Sequence, residues 1–236
     1  MDLKRVFFLD REIVISNKEQ IIKFILSSSK QDKTLKIFTL NPETWLKTRD
    51  LDFDDDVLWI PESISVYYAM VFLGLKGCRL PGIDLVSSLL KENFLNVISW
   101  GGSDEDCKIL KNNWDRLSFK SKIIEAFDGF SKNQKELIKL IAETKKVIVL
   151  VGKGAGLQER NIIQIAIKKN PCVYFGVGGT LDVFSMKKTR APSVMVKFGF
   201  EFLWRILSEP RRLIRMINCY PVFFIEVLRS KFCIKK

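Results

Sequence analysis

The chain has 236 residues, 47% of them apolar, with only 13 Gly and 7 Pro, which excludes a disordered or collagen-like polypeptide and leaves enough material for a sizeable core. The 39 Lys and Arg against 27 Asp and Glu give a formal charge of +12, which favours an anionic partner: nucleic acid, lipid headgroups or a phosphorylated small molecule. There is no histidine, and Cys78, Cys107, Cys172, Cys219 and Cys233 show no CxxC spacing; this argues against a zinc site or a disulfide framework and fits a reducing cytoplasm.

The N-terminal MDLKRVFFLDRE has too short an apolar run, interrupted by Asp10, for a signal peptide. No apolar run approaches the roughly 18 residues of a bilayer span. From there the spacing alternates between two periods. NKEQIIKFILSSS (17–29) reads as a helix, KIFTL (36–40) as a buried strand, VLWI (57–60) as a strand and ISVYYAMVFLGL (64–75) as a helix. The helix GIDLVSSLLKEN (82–93) is followed by the strand NVISW (96–100), the helix DEDCKILKNNWDRL (104–117) and the strand KIIEAF (122–127). NQKELIKLIAE (133–143) and ERNIIQIAIKK (159–169) read as helices around the strand VIVLVG (147–152), and VYFGVGG (173–179) as the last strand. Such alternation predicts an α/β layered, mostly parallel sheet, with ligands outside the carboxyl ends of the strands.

After Pro192 the pattern changes, which predicts a body over 1–192 and a basic helical appendage over 193–236. KFGFEFLWRIL (197–207) reads as a helix with no strand after it. Ser208 is placed to cap the next helix, RRLIRMI, with Pro210 in its first turn. From Val183 to Lys236 there are twelve Lys and Arg against three Asp and Glu, so the positive excess is a C-terminal property. A basic, apolar-rich helical tail is an ordinary membrane-contact element, whereas arginine also gives planar, bidentate recognition of phosphate.

Four motifs carry candidate chemistry. Gly152, Gly154 and Gly156 lie between a strand and a helix, where backbone amides can approach a phosphate, although the spacing misses both GxGxxG and the P-loop. Gln158, Glu159 and Arg160 stand at the mouth of that turn. A second glycine-rich strand end, GVGGTLDVFSMKKTRAP, carries Gly176, Gly178, Gly179, Asp182 and Arg190, and two such loops at one end of a sheet point to one crevice. Glu62, after a strand in WIPES, is placed either as a proton acceptor or as an N-terminal helix charge. The triplet Asp54-Asp55-Asp56 precedes its strand and is expected at the opposite end of the sheet, as a solvated acidic turn or a hard-metal ligand set.

In their order and spacing, TLNPE (39–43), RLPGIDL (79–85), the glycine turn ending in Gln158-Glu159, GVGGTLD with Arg190-Ala191-Pro192, and FEFLWRILSEPRRLIR (200–215) resemble the WecG/TagA/CpsF glycosyltransferases. The resemblance implies a Rossmann-like body that binds a UDP-sugar, with helices on both faces of the sheet. It also implies a C-terminal appendage that closes the site and rests on the cytoplasmic face of the plasma membrane. The activity implied is inverting, metal-independent transfer of an N-acetylmannosamine-type hexose to a polyprenyl-diphosphate-linked acceptor, with no cofactor and no nucleic acid. Position by position, Thr39 and Asn41 would line the donor sugar pocket and Gln158 would act at the reacting centre. Glu62 stands where the family has its proposed Asp base, and Arg205, Arg212 and Arg215 match the appendage arginines thought to contact the diphosphate. Arg79, Gly176, Gly178, Gly179, Asp182 and Arg190 complete the expected substrate-binding set. The departures at Pro61-Glu62-Ser63, Gly156-Leu157 and Ser185-Met186 keep open the alternative of a relative that binds nucleotide-sugar or lipid without transfer, and the +12 charge keeps open a nucleic-acid binder.

Overall fold

A computed structural model of the chain describes residues 2–31, 33–130, 134–166 and 172–233. Their eight strands are β1 (Arg5–Phe8), β2 (Arg11–Val14), β3 (Leu35–Leu40), β4 (Val57–Pro61), β5 (Asn96–Gly101), β6 (Lys122–Phe127), β7 (Val147–Gly152) and β8 (Val173–Gly176). They form one sheet in the order β1-β2-β4-β3-β8-β7-β5-β6, in which only the β1–β2 pair is antiparallel. The six strands expected from the sequence are all present, and the α/β class holds.

The sheet is central because its strands are apolar on both faces, as a parallel sheet requires. Leu35 and Ile37 of β3 face one layer, with α1 (Lys18–Lys30), α4 (Gly82–Glu92) and α5 (Asp104–Asn113). Phe38 and Leu40 face the other, with α2 (Pro42–Lys47), α3 (Ile64–Phe72), α6 (Gln134–Glu143) and α7 (Leu157–Ile165). Each such side chain contributes about 1.5–3 kcal/mol by leaving water. The chain leaves β5 through α5 to β6 at one edge but leaves β7 through α7 to β8 in the opposite direction. The loops after β5 and β7 therefore diverge, which opens a crevice at their carboxyl ends.

Several elements differ from expectation. The β1–β2 hairpin was not anticipated, nor were α2 and α8 (Thr180–Phe184). The 159–169 helix begins two residues early at Leu157 and ends at Ile165 with Ala166 as its C-cap, while 167–169 and Asn133 lie outside the described residues. KFGFEFLWRIL is not one helix: Gly199, at φ +80°, separates α9 (Ser193–Lys197) from α10 (Glu201–Ser208), and a left-handed residue of that kind ends a helical turn. Ser208 does not cap the following helix. It is the last residue of α10, and its hydroxyl donates to the Trp204 carbonyl at 2.9 Å.

The helix expected at RRLIRMI runs much further, as α11 (Arg211–Cys233), and continues through Pro221 even though that residue cannot donate the usual backbone bond one turn back. One side of α11 is part of the core: Phe223 is fully buried against Trp45 and Phe8, with ring centroids 5.4 and 6.3 Å away, and Cys219 and Val227 are buried beside it. Lys231 donates to the Phe72 carbonyl at 2.8 Å, satisfying the end of α3.

Candidate active site

Three glycine pairs meet at the crevice. Gly101 ends β5 with Gly102 next to it, Gly152 ends β7 with Gly154 two residues on, and Gly178 and Gly179 follow β8; together they line a cavity of about 240 Å³. The backbones press so closely that a Cβ on Gly101, at φ +154°, would sit 2.4 Å from the Gly152 carbonyl oxygen. Only glycine fits there. The Gly101-Gly102 loop was not among the sequence candidates; its signal is the pair of glycines closing the strand NVISW.

Gln158 and Glu159, at the start of α7, are both buried. The Gln158 amide nitrogen donates to Glu159 Oε1 at 2.8 Å, and its Oε1 accepts from the Gly178 amide at 3.1 Å, which ties the β7 turn to the β8 loop. Glu159 Oε2 accepts from the Gly156 amide at 2.6 Å. Burial, aided by the charge of Glu62, pushes the Glu159 carboxyl up to about 7, against the pull of those two hydrogen bonds. Glu159 lines none of the cavities but holds Gln158 and the Gly156 turn, a role the sequence reading did not give it. Arg160, by contrast, turns outward to Asp50 at 2.6 Å and does not sit at the mouth of the turn.

Beside this crevice the ends of β3 and β4 build a second cavity of about 130 Å³, lined by Asn41, Glu62, Arg79, Arg205 and Arg212 among others. Asn41 caps α2, accepting from the Thr44 amide at 2.9 Å, and donates to Glu62 Oε2 at 3.4 Å. Thr39 is buried on β3, two residues before this cap. Ser63 caps α3 through the Val66 amide, so the turn that carries Glu62 is fixed by the helix behind it. Arg79 donates to the Glu62 carbonyl at 3.2 Å, to the Val196 carbonyl at 3.0 Å and to Glu201 at 3.3 Å, joining the β4 end to α9 and α10. Arg205 donates to Glu201 at 2.5 Å; burial works against its charge, but the carboxylates of Glu62, Glu201 and Glu209 outweigh it and raise its pKa above the usual arginine value.

A third cavity, about 460 Å³, runs between α8 and α10 and includes Gly179, Asp182, Lys188, Arg190, Arg205, Glu209 and Arg212. Arg212 lines all three cavities. Arg190 pairs with Asp84 at 2.6 Å, Asp182 with Lys188 at 2.5 Å, and Arg215 lies 3.8 Å from both Glu43 and Glu209. Of the expected residues, Asn41, Glu62, Arg79, Gly178, Gly179, Asp182, Arg190, Arg205, Arg212 and Arg215 line these cavities, whereas Thr39 packs against Gly82, and Gln158 and Gly176 pack against each other and line none of them.

The model of the glycosyl transferase WecG/TagA/CpsF family matches residues 6–236. The chain belongs to this family. It is 29% identical over 213 residues to the N-acetylglucosaminyldiphosphoundecaprenol N-acetyl-beta-D-mannosaminyltransferase of Bacillus spizizenii, an alignment covering 85% of this chain and 81% of that protein. A Staphylococcus aureus protein of the same name is 30% identical over 166 residues, covering 67% of this chain and 63% of its own length.

In this WecG/TagA/CpsF chain the acidic triplet has a different setting from the glycine loops. Asp54 bonds Lys36, a buried lysine of β3, at 2.6 Å, at the amino end of the parallel strands. Asp54 and Asp55 are exposed, as a solvated acidic turn requires, and Asp54 also neutralises the buried Lys36 charge. Among the described residues no three His, Cys, Asp or Glu side chains gather as a metal ligand set. The crevice itself combines backbone amides, a carboxylate at a strand end and converging cations, a combination suited to holding a polyanion beside a proton acceptor.

Proposed function

We propose that the protein is an inverting glycosyltransferase that moves an N-acetylmannosamine-type hexose from a UDP-sugar to a sugar on a polyprenyl diphosphate, in the building of a cell-envelope polysaccharide. The observation that carries this reading is the convergence of Glu62, Arg205 and Arg212 on one cavity next to the glycine loops. The acceptor class is supported by the activity for which the Bacillus spizizenii and Staphylococcus aureus relatives are named.

In the proposed reaction the Glu62 carboxylate takes the proton of the acceptor hydroxyl, whose oxygen attacks the anomeric carbon as the bond to UDP breaks. One displacement inverts the anomeric centre. Negative charge grows on the departing diphosphate, and cations already in place stabilise that charge more than they stabilise the ground state. Arg205, Arg212 and Arg215 supply it from side chains, without a metal. We assign Thr39 and Asn41 to the sugar side, and Gln158, held by Glu159 and Gly178, to hydrogen bonding at the reacting centre. Gly176, Gly178, Gly179, Asp182, Arg79 and Arg190 form or brace the walls.

We assign residues 193–236 to an appendage that also meets the membrane carrying the acceptor. Leu207, Ile214, Ile217 and Phe232 are exposed there among Arg211, Arg229 and Lys231. The free thiols Cys78, Cys107, Cys172 and Cys219 suit the cytoplasmic face of that membrane.

The test supplies a GlcNAc-diphosphate-lipid analogue and a panel of UDP-sugars. Glu62→Gln and Arg212→Ala are each expected to lower transfer by roughly 10²-fold, the usual scale of a lost base or transition-state donor, with unchanged circular dichroism. Wild-type rates in both variants overturn the mechanism. UDP binding without transfer from any donor identifies a nucleotide-sugar binder instead.

A further inference from the structure

Glu209 sits in the corner between α10 and α11, and the cations of the crevice turn toward it. Its Oε1 accepts from Lys188, its Oε2 accepts from Arg212 Nε, and Arg215 Nη2 lies 3.8 Å from Oε2. Lys188 also holds Asp182 at 2.5 Å. All five of these side chains line the 240 Å³ cavity formed by the three glycine pairs. A Cβ built on Gly179 would lie 3.6 Å from Arg212 Nη2, so the guanidinium already touches the β8 loop.

Two carboxylates therefore occupy three cations at the place where the backbone is open enough to admit an anion. A carboxylate offers one charge and two oxygens, whereas a diphosphate offers more of both and can take the same donors together with nearby backbone amides. Lys188 is a further cation of this set, reaching it from the loop after α8 rather than from the arginine-rich helix.

We propose that Glu209 is an internal counter-ion that fills the diphosphate site of the free protein and must yield Lys188 and Arg212 when a diphosphate enters, with Lys188 one of its direct ligands. The inference rests on the glycosyltransferase reading for the identity of the anion, but not on any sugar being transferred. Glu209 lowers affinity in exchange for keeping the cations gathered and the α10–α11 corner closed when the site is empty. Asp182 is the second competitor, through Lys188 alone.

The experiment measures binding of inorganic diphosphate and of UDP by calorimetry, independently of catalysis. Glu209→Gln keeps the shape of the side chain and removes the charge; it is expected to tighten both ligands about 3- to 10-fold, the scale of one partly exposed charge pair. Lys188→Met is expected to weaken both by a similar factor, and uridine without phosphates is expected to be indifferent to either change. Unchanged or weaker diphosphate binding by a folded Glu209→Gln protein overturns the proposal, as does absence of diphosphate binding in every variant. Tighter binding in Glu209→Gln with no sugar transfer from any donor leaves this inference standing and removes the transferase reading.

Discussion

Glu159 shows how much one carboxyl can contribute to the behaviour of a site it does not line. Its acid form is favoured in the fold, first by burial and then by the charge of Glu62, so the folded chain keeps a proton that the unfolded chain has released. The sign follows: between the ordinary glutamate value of 4.5 and about 7 the native state binds more protons, so stability falls as pH rises through that window and levels off above it. The limiting slope for a single group is about 1.4 kcal/mol per pH unit. Glu159→Gln, which keeps an acceptor for the Gly156 amide, is expected to flatten this loss in denaturant unfolding measured from pH 5 to 8; an unchanged pH profile sinks the assignment. Sequence reasoning reached Gln158 through its motif and Glu62 through its strand end, because both effects are local. It gave Glu159 no separate role because burial is decided by α7 packing over β8, which no residue pattern displays.

At the scale of elements, α11 is anchored by a few residues on one side. Phe223 fills a pocket between Trp45 of α2 and Phe8 of β1, so Phe223→Ala is expected to cost about 3–5 kcal/mol and to expose α11 to limited proteolysis before the sheet unfolds. Proteolytic resistance equal to wild type would show that the helix is held elsewhere. The strands from β3 to β8 and most of the helices between them were legible because doubly buried strands are runs of apolar residues and their covering helices are periodic. The β1–β2 hairpin was not, because its second strand opens with a buried arginine. Arg11 stacks 4.5 Å over Trp59 and donates to Thr48 at 3.0 Å, contacts made by distant residues that turn a polar-looking segment into a strand. The break at Gly199 was hidden for a related reason. Its glycine stands in a helical pattern, and only the packing of the turn against Ile64 decides that the chain bends there. Ser208 misled because a serine with a proline two residues on, in the first turn, is a good cap in isolation, whereas the corner is made by Glu209 and its cations.

For the molecule as a whole, the unusual feature is a terminal helix that is apolar on two opposite sides. Met216, Cys219, Tyr220, Phe223 and Val227 face the body, while Ile214, Ile217, Ile225, Leu228 and Phe232 face outward at the same helical spacing. A broad apolar helix face is normally covered, yet no described helix is long and apolar enough to cross a bilayer, so the proposed cover is the interfacial layer of a membrane. Basic residues on the same helix add attraction to anionic headgroups, about 1 kcal/mol for each near the surface. Flotation with anionic vesicles is therefore expected to carry the wild-type protein upward, less so in high salt and less so with neutral lipid. Replacing Ile214 and Ile217 with Glu removes two outward side chains, each contributing about 1.5–3 kcal/mol if buried in lipid, and is expected to abolish flotation. UDP binding should survive that double change, because neither residue lines the cavities around the glycine loops. Retained flotation would mean that the outward face meets something other than lipid, whereas joint loss of flotation and UDP binding would mean that the helix closes the site from further away than its contacts indicate.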